Sequence, residues 1–269
     1  MTIRKGYSDG PEGQIHWRMA TPSGDAQQAD LYCFSPAPFG SIAYATLLPH
    51  LARDRRVIAP DYPGQAGSDG GSSQPSIEAY AASMLAVIAD MSGERPVDVL
   101  GFHSGCLVAA EVKRQAPEVI DHVIMVDVPA FDPETRAKYL PMVGKPFELS
   151  PDIESLAKAW DMAVTKRLET QPLAHSLAMF ADTVGNGPRM NATFHAAFTY
   201  DVEASLSSLN ANATIIATQS SLLDPSRRAA DMIPDCKLVE LLEISRSVLD
   251  ENAETTAAAI LSSLARAAP

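Results

Sequence analysis

Positive charge is scarce in this sequence: 21 Lys and Arg face 33 Asp and Glu, for a formal net charge of −12 at pH 7. Binding along a phosphate backbone needs clustered cations and nothing here supplies them, so a nucleic-acid partner is not expected. No stretch approaches the ~20 consecutive apolar residues of a membrane span. The opening MTIRKGYSDGPEGQ has no apolar region of the secretory-signal kind, so the expectation is a cytoplasmic protein without a membrane partner. Cysteine is equally sparse. Cys33, Cys106 and Cys236 fall in neither CxxC nor Cys/His spacing, which argues against a disulfide framework or a zinc site and leaves reduced thiols. Cys106 reads as a small buried hydrophobe. No metal and no organic cofactor is suggested, and there is no internal repeat or low-complexity segment.

What the sequence does hold is enough apolar residue, 46% over 269 positions, for one large α/β core. Short runs rich in Val, Ile, Leu and Tyr at residues 14–19, 29–34, 56–59, 97–101, 122–128, 213–218 and 237–242 read as strands. Amphipathic stretches at 42–51, 77–91, 107–115 and 254–267 read as helices between them. This alternation predicts a doubly wound, mostly parallel sheet covered on both faces. It breaks over residues 131–206, a helix-rich stretch with no strand candidate and a Ser-x-x-Glu-like start near Ser150 and Glu154. That stretch is expected to be a helical cap inserted into a core of residues 1–130 and 207–269. The run GQAGSDGGSSQPS over residues 64–76 is expected to be a flexible connector.

The segment VDVLGFHSGC from Val97 to Cys106, followed by LVAAEVKRQAPE, has the form of a strand, a tight turn and a helix. At such an elbow the apex residue is strained, and the residues two before and two after it must be small. With His103 at the apex the flanks are Gly101 and Gly105; with Ser104 there they would be Phe102 and Cys106. The steric rule therefore places His103 at the apex, and histidine tolerates positive φ better than most residues.

The chain resembles the α/β-hydrolase superfamily over nearly its whole length. The resemblance rests on the opening GPEGQIHWR (Gly10 to Arg18), the Asp61-Tyr62-Pro63-Gly64 loop closed by Ser68, the elbow and its helix, and the segment AFTYDVEASLSSLNANATIIAT. Within the superfamily it is similar to a subset with Gly-His-His-Thr-Gly at the elbow. The resemblance implies an acid after the seventh strand, where Ser221 stands, and a histidine after the eighth, where counting back from Glu251-Asn252-Ala253-Glu254 reaches Arg246. No histidine follows His195, so an ordinary Ser-His-Asp acyl transfer has no base. The oxyanion loop reads Ser35-Pro36-Ala37-Pro38, and the backbone amides of Ala37 and Ser104 are the expected oxyanion donors.

An imidazole beside two aimed amides is a credible general base or nucleophile. Asp127, at the end of the sixth strand, stands where haloalkane dehalogenases in this superfamily supply their acid, and is the candidate partner of His103. Arg246 suggests an anionic substrate, because a guanidinium grips carboxylates in a fork. Ser35, His195, Tyr200 and Ser221 complete the candidate substrate contacts, and Met142, Met162, Met179 and Met190 are candidate pocket or core residues. The expected function is hydrolysis of a small carbonyl-containing, anionic substrate. Open beside it are a cofactor-free lyase, decarboxylase or isomerase using the same base, and a non-catalytic binding protein that kept its pocket. The acidic surface leaves room for a homodimer.

Overall fold

The computed structural model describes residues 3–72, 74–143, 145, 148, 150–209 and 212–265. Strands β1 (Arg4–Gly10) and β2 (Gly13–Ala20) form an antiparallel hairpin. β3 (Leu31–Phe34), β4 (Val57–Pro60), β5 (Val97–Phe102), β6 (Ile120–Val126), β7 (Asn212–Thr218) and β8 (Lys237–Leu241) run parallel to one another. The sheet has the order β1-β2-β4-β3-β5-β6-β7-β8, with β2 joined antiparallel to β4. All of the expected strands are present, each to within two residues at either end.

Side-chain alternation builds the two layers. Tyr32, Phe34 and Ile58 enter one apolar core while Leu31, Cys33, Val57 and Ala59 enter the other, so β3 and β4 are buried throughout. This two-sided burial is what makes central parallel strands continuously apolar. Helices α1 (Leu47–Leu51), α2 (Ile77–Ser92) and α3 (Gly105–Gln115) follow β3, β4 and β5 respectively. α2 starts on Ser76, whose hydroxyl accepts from the Ala79 amide, and ends at Gly93 with φ 64°.

Between β6 and β7 lie α4 (Pro133–Val143), α5 (Ala157–Ala163), α6 (Leu173–Gly185), α7 (Ala192–Thr199) and α8 (Val202–Ser207), and among the described residues of that stretch there is no strand. α9 (Leu223–Met232) precedes β8, and α10 (Ala253–Leu264) closes the described chain. No helix of the described residues is long and apolar enough to cross a membrane.

Several sequence expectations need correction. The single helix expected at 42–51 is a 3-10 turn, Ser41–Tyr44, followed by α1. The expected helix 254–267 ends at Leu264, and its positions 266 and 267 lie outside the described residues. The helix start near Ser150 is capped by Asp152 instead, whose carboxylate accepts from the Glu154 amide at 3.0 Å. The connector after Pro63 is tied down in its first half: Ala66 donates its amide to Asn186 at 2.7 Å, and Gln65 bonds both Asn186 and the Arg189 carbonyl. β1 and α9 went unforeseen. β1 is an edge strand mostly open to solvent, so its sequence lacks apolar alternation, and α9 buries only Ser226 and Ala229.

Candidate active site

The register of β5 on β6 pairs Phe102 with Val126, so the next residue of each strand, His103 and Asp127, emerges beside the other at the carboxyl edge of the sheet. Ligands in open α/β sheets bind at this edge. Both residues are left-handed, with φ 50° at His103 and 53° at Asp127. Left-handed backbone is uncommon outside glycine, and histidine and aspartate are among the residues that adopt it most often.

The glycines hold the turn. A Cβ on Gly101 would stand 2.4 Å from the Cys106 amide nitrogen, and one on Gly105 would stand 2.0 Å from the Phe34 carbonyl oxygen. Strand and helix thus approach as closely as the elbow rule supposes, with His103 at the apex.

The His103 side chain is 42% exposed, and it lines a cavity of about 200 Å³. Its Nε2 lies 4.0 Å from Asp127 Oδ2, within ion-pair reach but short of a hydrogen bond. Asp127 is fully buried and fixed by Thr218, which donates its amide to Oδ1 at 2.8 Å and its hydroxyl to Oδ2 at 2.7 Å. Neither ring nitrogen of His103 bonds a protein group among the described residues.

The cavity wall strips water from the part-exposed ring and pushes the His103 pKa down to about 4; Asp127 pulls it up and the Arg167 guanidinium pushes it down further. The imidazole is therefore neutral at pH 7, with a free lone pair. Between about pH 6.5 and 4 the unfolded chain takes a proton that the folded one refuses, so stability falls as pH drops through that window. In an NMR titration the His103 ring is expected to titrate near pH 4, lower still in Asp127→Asn and higher in Arg167→Gln. A midpoint near 6.5 would contradict this arrangement.

Around His103 the cavity is lined by Pro36, Ala37 and Phe39 from the loop after β3, by Arg167 and Met179 from the intervening helical stretch, and by Thr218, Ser220 and the loop Ser245 to Asp250. Of the sequence candidates, His103, Asp127, Ala37 and Arg246 meet here. Arg246 sits at the exposed rim, 3.4 Å from Glu169.

Others do not reach the cavity. Ser221 is exposed and Ser220 takes the lining position, because the chain turns into α9 directly after β7. Ser35 is buried beneath the loop, with its carbonyl accepting from Tyr62 at 2.9 Å, and the loop presents Pro36 and Ala37 instead. Tyr200 is turned into the core, where its hydroxyl lies 2.7 Å from both the Glu111 carboxylate and the Ser205 hydroxyl. His195 stands partly buried on α7 and borders no part of the cavity. Of the methionines, Met179 lines the cavity, Met190 is buried elsewhere and Met142 is 67% exposed.

The oxyanion donors also differ from expectation. The Ala37 amide donates to Ser104 Oγ at 2.7 Å, so the hydroxyl after the apex occupies one of the two expected donors. The Ser104 amide makes no hydrogen bond among the described residues. Sequence reasoning missed Arg167, His175 and Asp250. Asp250 is partnered by Thr46 at 3.2 Å and by His175 at 3.5 Å, and its carboxyl is pushed up by burial.

A family model of the alpha/beta hydrolase fold matches residues 37–220. The chain belongs to that family. It is similar to the putative carbamate hydrolase RutD of Pseudomonas savastanoi pv. phaseolicola, at 28% identity over 79% of this chain and 85% of that protein. Among solved structures, the enol-lactonase of Burkholderia xenovorans LB400 superposes with TM-score 0.76 at 17% identity, over 96% of this chain and 99% of that one. A thermophilic esterase of Thermogutta terrifontis, solved with malate bound, gives TM-score 0.74 at 16% identity, over 98% of both chains. At these identities the structural likeness carries the fold alone.

Proposed function

We propose that this protein is a hydrolase of small carbonyl compounds in which His103 is the general base. One observation carries the reading: an imidazole stands at the elbow apex, bordering a cavity, with a buried carboxylate 4.0 Å from its Nε2. The ring takes a proton from water as the water oxygen bonds the carbonyl carbon. When the bond to the leaving atom breaks, the imidazolium returns that proton to it. Asp127 favours the charged ring in the interval through its charge alone, at a distance short of a hydrogen bond.

The oxyanion is met by the Ser104 amide and, once the Ser104 hydroxyl turns aside, by the Ala37 amide. Residues 131–206 act as the cap and limit the substrate to a small molecule; the cavity is smaller than the ~300 Å³ at which drug-sized sites begin. The carbamate-hydrolase, enol-lactonase and esterase names of the similar proteins support carbonyl hydrolysis as the reaction class.

The test is a panel of small esters, lactones and carbamates assayed with the wild type and with His103→Ala. A substrate turned over by the wild type and lost with the imidazole supports the reading. Turnover unchanged in His103→Ala sinks His103 as the base, and no turnover of any substrate by the wild type favours a binding scaffold instead.

A further inference from the structure

Arg167 is a half-buried cation on the cavity wall, and Asp250 acts on it electrostatically from beyond ion-pair distance. It ends a 3-10 turn, Thr165–Arg167, between α5 and α6. Its Nε donates to the Met162 carbonyl at 3.3 Å, and its guanidinium lies over the Phe39 ring, 5.1 Å from the centroid. No carboxylate among the described residues comes within ion-pair distance of it.

The other charges on the cavity wall already have partners. Asp127 is held by Thr218, Asp250 by Thr46 and His175, and Arg246 by Glu169. A guanidinium offers five donors, and among the described residues only the Nε of Arg167 is engaged in a hydrogen bond. The arrangement therefore leaves a cation whose terminal nitrogens are free to face a ligand, beside the proposed base. Arginine at such a site favours a planar, two-oxygen acceptor. The stacking on Phe39 holds the fork in one plane, which limits the ordering cost when an anion arrives.

We infer that Arg167 is the carboxylate receptor of this cavity, so that the substrate is a small acyl compound bearing a free carboxylate. The inference deepens the reading above and rests on it for the word substrate, but the anion site stands on its own geometry. Arg246, to which the sequence pointed for this role, is a rim residue engaged with Glu169. The carboxylate is held by Arg167 while the acyl carbon lies toward His103.

The probe is monomethyl succinate, which carries one ester and one carboxylate, with dimethyl succinate as its neutral counterpart. Binding is measured by calorimetry in the wild type and in His103→Ala, where nothing turns over if His103 is the base. Monomethyl succinate is expected to bind both proteins alike, and about 10- to 100-fold more weakly to Arg167→Gln, the loss of a charge-assisted fork. Arg246→Gln is expected to bind within about twofold of the wild type, as for a solvent-exposed pair. If Arg167→Gln does not fold, Arg167→Lys carries the test: it keeps the charge, loses the fork, and is expected to weaken binding several-fold.

Equal binding of the neutral diester, a loss that follows Arg246 instead, unchanged binding in the Arg167 variants, or no binding to the wild type would each overturn the inference. Turnover that survives in His103→Ala while carboxylate binding still depends on Arg167 would sink the general-base reading and leave this one standing.

Discussion

Replacing His103 with alanine is expected to lower kcat/KM by about a hundred- to ten-thousandfold, the usual contribution of a positioned general base. The expectation is large because the other candidate bases on the cavity wall are engaged: Asp127 with Thr218, and Asp250 with Thr46 and His175. Ser104→Ala is the necessary companion. The Ser104 hydroxyl accepts from the Ala37 amide, so its removal frees that donor and is expected to leave the rate within about tenfold, the scale of a single neutral hydrogen bond. Loss confined to Ser104→Ala would mean that the hydroxyl, and not the imidazole, attacks the substrate.

The second large effect is on stability. Gly105→Ala is expected to cost at least about 3 kcal/mol, at the upper end for overpacking, because the new Cβ would meet the Phe34 carbonyl oxygen at 2.0 Å. That oxygen belongs to backbone and cannot rotate away. It ends β3 and also accepts from the buried Tyr44 hydroxyl at 2.8 Å, so a retreat would disturb a central strand. Urea denaturation reads the loss as a lower midpoint at unchanged slope. A midpoint shift worth under about 1 kcal/mol would show that strand and helix do not pass this closely.

The elbow was legible because its constraint is local. Small residues at 101 and 105 follow from the close passage of β5 and α3, and only one register satisfies them. The strands were legible for a similar reason, since two-sided burial writes continuous apolar runs into β3, β4 and β7.

The cavity wall was not legible. Arg167 comes from a short turn whose sequence, Thr165-Lys166-Arg167, carries no motif, and only the packing of α5 and α6 brings it over Phe39. Tyr200 and His195 failed as candidates because chain position near a cavity says nothing of side-chain direction: Glu111, buried on α3, claims the tyrosine. The Ala37 amide failed as a free donor because its acceptor lies 67 residues away in sequence.

The pH profile of kcat/KM, set beside the NMR titration of His103, tests most directly whether the apex imidazole is the reacting base. The rate requires the neutral ring, so it is expected to rise with pH along a limb near 4, coincident with the ring's own titration. In Asp127→Asn both are expected to move together to lower pH, because the carboxylate that favours the charged ring is gone. A limb that stays in place while the ring's titration moves, or a rate indifferent to the ring's protonation, would contradict the assignment.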